Sequence, residues 1–152
     1  MISQKMKGKQ MKYKFLIFSL AAGLIGFTQT GYAQTLTILV NNIQNNEGII
    51  GCALFNGPDG YPMEPEKAWI MEVEPVIDSV KCQFDNVPPG IYAASVSHDV
   101  NENGKVDTNF LGIPREAWGV SNNVRPRFRA PEFEEAQFEM RGDKTIEITI
   151  DK

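Results

Sequence analysis

The stretch TIEITI, residues 145–150, alternates strictly: Ile146, Ile148 and Ile150 fall on one side of an extended chain, Thr145, Glu147 and Thr149 on the other. A period of two suits a half-buried β-strand and does not suit a helix. Five further segments alternate or carry β-branched runs: TLTILV (35–40), IIGCALF (49–55), SVKCQF (79–84), IYAASVS (91–97) and AQFEM (136–140). Turn clusters NNEG (45–48) and RGDK (141–144) join neighbours. Strands of this kind bury their apolar faces by packing sheet on sheet. The expectation is therefore an all-β chain, an antiparallel β-sandwich of about seven strands. One short helix is expected at EPEKAWI (64–70), where Pro65 sits in the first turn with acidic residues near the start.

Residues 1–33 stand apart from this pattern. Lys5, Lys7, Lys9, Lys12 and Lys14 form a basic region without an acidic residue, and the apolar run FLIFSLAAGLIGF (15–27) follows. Gly31 and Ala33 then supply the small residues of a signal-peptidase site. Thirteen apolar residues are too few to span a bilayer comfortably. The expectation is a signal peptide cleaved before Gln34, leaving residues 34–152 as one periplasmic or extracellular domain with no membrane span. Met11 is an alternative start, since MKYKFLIF is a complete basic region and apolar onset by itself.

Removing the leader's five lysines from the 15 basic residues leaves 10 against 19 acidic ones, a net charge of −9. That balance argues against nucleic-acid and anionic-membrane partners and is compatible with cation binding. Cys52 and Cys82 both enter an oxidising compartment. Cys52 shares a strand face with Ile50 and Leu54, and Cys82 shares one with Val80 and Phe84. Both faces look inward, so a disulfide between them is expected to cross the core.

Strand rhythm fails between residues 99 and 134, which hold three prolines, three glycines and no sustained period. The segment carries Phe110, Leu111, Ile113, Trp118, Val120 and Phe128, too much apolar surface for a solvated linker. It is expected to be a long packed loop over one end of the sandwich.

The run FDNVPPGIYAASVSHDVNENGKVDTNFLGIPREAWGVSNN (84–123), followed by FRAPEFEEAQF (128–138), resembles the exported bacterial proteins grouped as domain of unknown function 2141. The similarity covers nearly all of residues 36–150 and is most specific from Pro88 to Phe138. The resemblance implies no activity. VPPGIYAASV is also similar to strand starts in transthyretin-like and carboxypeptidase-regulatory sandwiches, which implies a prealbumin-like or Ig-like topology by analogy. Cys52 and Cys82 stand where the family resemblance implies small apolar residues.

HDVNENGKVDTNF (98–110) carries most of the calcium-loop grammar. Counted from Asp99, oxygen ligands fall at Asp99, Asn101, Asn103 and Asp107, with Gly104 sixth and Lys105 offering its carbonyl. The twelfth position is Phe110, so the bidentate glutamate of an EF-hand is missing, and no helix flanks the loop. Two readings stand: a weak Ca2+ site of Asp99, Asn101, Asn103, Lys105 and Asp107, or a polar turn closed by Asx bonds. His98 is the sole histidine, which rules out a multi-histidine zinc centre.

Arg125, Arg127 and Arg129 alternate in RPRFR and could clamp a carboxylate or phosphate; pairing with Glu132, Glu134 and Glu135 is the plainer reading. Trp118, Phe110 and Phe133 could form an aromatic platform or fold the loop. The favoured function is an exported, non-enzymatic binding module. Its calcium-type loop (99–107) organises a recognition surface of Trp118, Arg125, Arg127 and Arg129 for a cell-envelope protein or glycan. The rival is a secreted hydrolase using His98 with Asp99 or Asp107.

Overall fold

The computed structural model describes residues 34–76, 79–110 and 114–152; the expected leader, Leu111 and Ile113 lie outside the described residues. In chain order the strands are β1 (Gln34–Asn41), β2 (Ile49–Phe55), β3 (Ile70–Pro75), β4 (Val80–Val87) and β5 (Gly90–Asp99). They continue with β6 (Trp118–Val120), β7 (Phe138–Met140) and β8 (Lys144–Thr149), and a single helical turn, α1 (Phe133–Ala136), precedes β7. One sheet has the order β4-β1-β8 and the other β3-β2-β5-β6, with β7 paired to the first residues of β5. The fold is a β-sandwich rich in antiparallel pairs. One pair departs from that rule: β1 and β8 run parallel, with Ile38 opposite Ile146 and Val40 opposite Ile148.

Alternation places the core between the sheets. Leu36, Ile38, Phe84 and Ile148 from one sheet meet Ile50, Leu54, Ala94 and Val96 from the other, all essentially without solvent contact. The isoleucines of TIEITI face inward as their spacing requires; Ile148 and Ile150 are fully buried and Ile146 packs at the margin. Cys52 on β2 and Cys82 on β4 form the expected disulfide through this core, with S–S 2.00 Å and Cα–Cα 6.3 Å.

A second, smaller core lies on the outer face of the β3-β2-β5-β6 sheet. Ala53, Phe55, Ala93 and Val120 are covered there by Phe133 and Ala136 of α1 and by Tyr61. Tyr61 stands edge-on to Phe55 at 5.3 Å and to Phe133 at 5.8 Å. Its hydroxyl is buried without a hydrogen-bond partner among the described residues, and burial first, then the Glu135 charge, push its pKa up. Tyr61→Phe is therefore expected to leave stability unchanged or raise it by up to about 1 kcal/mol, read as a urea midpoint. A clear loss would reveal a partner for that hydroxyl.

Three local expectations need correction. The helix expected at 64–70 is only a three-residue 3-10 turn, Pro65–Lys67. Pro65 starts the turn, but Ala68 is already extended and the Trp69 N–H donates to the Leu54 carbonyl at 2.9 Å, drawing the chain into β3. IMEVEP is itself a period-two strand, partner to β2 along its whole length. The strand expected at 136–140 begins only at Phe138, because Ala136 closes α1. The capping box of Glu132 and Glu135 satisfies the first backbone donors of that turn. The loop expected over 99–134 contains β6 and the start of α1 and is packed unevenly: Val120, Phe133 and Ala117 are buried, whereas Phe110 and Phe128 are 94% and 92% exposed.

Candidate functional site

β5 delivers His98 and Asp99 to the end of the sandwich, both buried despite their polarity. The NNEG turn packs directly beside them. Gly48 has φ +73°, and a Cβ there would stand 2.2 Å from the Asp99 carbonyl oxygen, so only glycine fits this approach. The turn brings the Glu47 carbonyl oxygen 2.7 Å from His98 Nε2. A carbonyl only accepts, so Nε2 carries the proton and donates. The His98 main-chain N–H donates to the Ala117 carbonyl at 2.9 Å. His98 is 2% exposed and braces three chain segments rather than facing a cleft.

The 99–107 loop closes on itself. Asp99 accepts the Asn103 N–H at 3.1 Å and the Gly104 N–H at 2.6 Å, one on each carboxylate oxygen. The Asn103 side-chain oxygen accepts the Lys105 N–H at 2.8 Å, and that of Asn101 accepts the Asn103 N–H at 3.2 Å. The amide nitrogens of Asn101 and Asn103 donate to the two oxygens of Asp107 at 2.7 and 3.0 Å. Gly104 takes φ +74°, the left-handed position that glycine tolerates best. All five expected ligand residues thus lie in one turn. Among the described residues no three His, Cys, Asp or Glu side chains gather as a metal site. A cation here would need the amide oxygens of Asn101 and Asn103 as well as carboxylates.

Glu116, which the sequence reading missed, proves central to the loop. It is buried, and its two oxygens accept the Val100 N–H and the Asp107 N–H, each at 3.0 Å. One carboxylate thereby clamps both ends of the turn. The Arg115 N–H donates to the Asp107 carbonyl at 2.7 Å, so residues 115 and 116 together form the loop's return side. A lone acid beside the apolar AWGV was the only local signal.

The expected arginine surface is dispersed by internal pairing. Arg125 donates to the carbonyls of Trp118 at 2.7 Å and Asp151 at 2.9 Å, and its guanidinium lies 5.1 Å over the Trp118 ring. Arg129 forks onto Glu135 with two bonds of 2.7 Å, the pairing that the plainer reading of RPRFR anticipates. That fork holds the Glu135 carboxyl down to about 2, well below its ordinary 4.5. A depressed folded-state value means the contact contributes above the unfolded pKa and fades as pH falls towards 2. Arg127 stands 5.7 Å from the exposed Phe128 ring and makes no ion pair among the described residues. Phe133 lies in the second core, so it belongs to no aromatic platform.

The chain matches no curated protein and no solved structure. A family does match, over residues 38–149, which takes in every strand in whole or in part and the whole 99–107 turn. The chain belongs to the DUF2141 family, described as an uncharacterized protein conserved in bacteria.

Proposed function

We infer that the protein is an exported, non-enzymatic binding module whose 99–107 turn is a weak calcium-type loop. The observation that carries the non-enzymatic reading is His98: it is buried, with Nε2 committed to the Glu47 carbonyl. The buried disulfide and the basic-then-apolar N-terminal segment support export. The calcium reading rests on the oxygen order at Asp99, Asn101, Asn103, Lys105 and Asp107, now drawn into one turn. The exposed Phe128 and Arg127, beside Trp118, offer a surface to a cell-envelope protein or glycan.

Calcium affinity should be low. Binding must turn two asparagine amides away from Asp107, and Lys105 adds a positive charge nearby. A dissociation constant of roughly 0.1–1 mM fits extracellular modules of this ligand count. At about 2 mM calcium, binding to the native state alone adds about 0.7–1.8 kcal/mol. The melting temperature is expected to rise by roughly 3–7 °C, with magnesium doing less. Asp99→Ala and Asp107→Ala should each abolish the shift. Melting curves that superimpose in calcium and in chelator would make the turn a purely hydrogen-bonded one.

A further inference from the structure

The two flanks of the sandwich end differently. On one, the Trp118 and Asp151 main chains exchange N–H to carbonyl bonds of 3.0 and 3.1 Å, drawing β6 against the end of the chain. The Asn123 side chain bonds there to the Glu147 carbonyl and the Thr149 N–H of β8, at 3.3 and 2.8 Å. The other flank is formed by β3 and β4, the end strands of their sheets. The Cys52–Cys82 disulfide ties β2 to β4 beneath it. Among the described residues no further strand pairs with β3 or β4 on this side.

β3 is the informative strand. Hydrogen-bonded pairs recur at every second residue of an antiparallel ladder. The Val76 N–H donates to the Gly48 carbonyl, so in this register the residues bonded to β2 are Glu74, Glu72 and Ile70. Met71 and Val73 therefore aim their N–H and C=O groups away from β2, at an edge without a partner strand. Pro75 comes next in that set and has no N–H to leave unpaired. The side chains keep the same rhythm. Met71 lies beside Ala53 and Val73 beside Gly51 on the outer face of the sheet, 44% and 45% exposed. Glu72 lies beside Cys52 and Glu74 beside Ile50, on the inner face where the two sheets meet this flank. Both glutamates are half-buried and make no ion pair among the described residues.

These features select an occupant. Outward backbone donors and acceptors suit an extended chain, whose own N–H and C=O groups they would pair. On each face, a side chain of an added strand meets the one beside it on β3. Apolar side chains on the outer face would cover Met71 and Val73, while cations on the inner face would meet Glu72 and Glu74. A second copy of the chain fails this match, because β3 laid on β3 sets the glutamates of one strand against those of the other. The surroundings carry the same sign. Residues 64–75 hold Glu64, Glu66, Glu72 and Glu74 against Lys67, and that lysine is already held by Asp59 and Glu64. The neighbouring β4 offers no apolar row, since its exposed residues are Lys81, Gln83, Asp85 and Asn86.

We propose that β3 accepts an added strand from a partner protein, an extended segment in which lysine or arginine alternates with apolar residues. The site is independent of the calcium reading and of the surface beside Trp118, which lies at the β6 edge of the same sheet.

The test titrates the purified protein with the end-blocked peptide VKVKVKV, following heat and amide hydrogen exchange. Saturable one-to-one binding is expected, with new protection at Met71 and Val73, the amides aimed at the free edge. Binding should be about ten-fold weaker or more for VEVEVEV, which reverses the charge, and for VVVVKKK, which keeps the composition and loses the alternation. Glu72→Lys combined with Glu74→Lys should invert the preference, so that VEVEVEV binds better than VKVKVKV while melting stays cooperative. If that variant does not fold, Val73→Pro takes its place. It removes an outward N–H, leaves the residues bonded to β2 untouched, and should weaken VKVKVKV about ten-fold. The proposal is overturned by absent or non-saturable binding, by equal binding of the three peptides, by undiminished binding in the folded variant, or by protection that appears away from β3. Protection of Met71 and Val73 on self-association without peptide would overturn it too, by assigning the edge to a second copy.

Discussion

Replacing Cys52 and Cys82 together by alanine is expected to lower the unfolding free energy by about 3.5 kcal/mol. The bond joins β2 in one sheet to β4 in the other, and the two cysteines are 30 residues apart in sequence. Cutting a cross-link of that span frees the unfolded chain by roughly 3–4 kcal/mol on the chain-entropy account. For a domain of this length the melting temperature should drop by about 12–15 °C. Urea midpoints of the oxidised parent, the reduced parent and the double variant check it. Both cysteines are fully buried, so reductant should act only through opening of the fold. A parent and variant that agree within about 1 kcal/mol would mean the two sheets are held by apolar packing alone.

Glu116→Ala should cost nearly as much, about 3 kcal/mol. The substitution removes two charge-assisted bonds and strands the N–H groups of Val100 and Asp107 in a partly buried place. Glu116→Gln keeps one acceptor but turns an amide N–H towards the second donor, so it should recover no more than half of the loss. Hydrogen exchange at Val100 and Asp107 separates this account from general damage. Both amides should lose protection in Glu116→Ala before the β1 and β4 amides do. Retained protection there, with stability within about 1 kcal/mol of the parent, would remove Glu116 from its clamping role.

The strands most readily legible in the sequence were those whose alternation is uninterrupted and whose neighbours lie between clear turns. β1, β2, β4, β5 and β8 follow from their own residues because alternate positions of each carry a run of apolar side chains. β3 was hidden by Pro65 and its flanking acids, a helix-start signal that local propensity favours and sheet pairing with β2 overrides. β6 is three residues long, too short to show a period. The parallel match of β1 and β8 has no local signature at all, since it joins the two ends of the fold. In the polar turn, residue order marked Asp99 to Asp107 because those contacts are near in sequence. Glu116 was not marked, because it reaches the turn through tertiary structure.

The pairing of β1 with β8 bears on when the domain can form. Thr37 lies opposite Thr145, and β1 has β4 as its other neighbour, so the first strand sits at the centre of its sheet. Until the last few residues have been synthesised, β1 keeps one side without a partner, and the core between the sheets lacks Ile148 and Ile150. Contacts spanning nearly the whole domain must close their long loop before they gain anything, which places the chain among slow, non-local folders. The β4-β1-β8 sheet can therefore be completed only once residues 144–149 have been made.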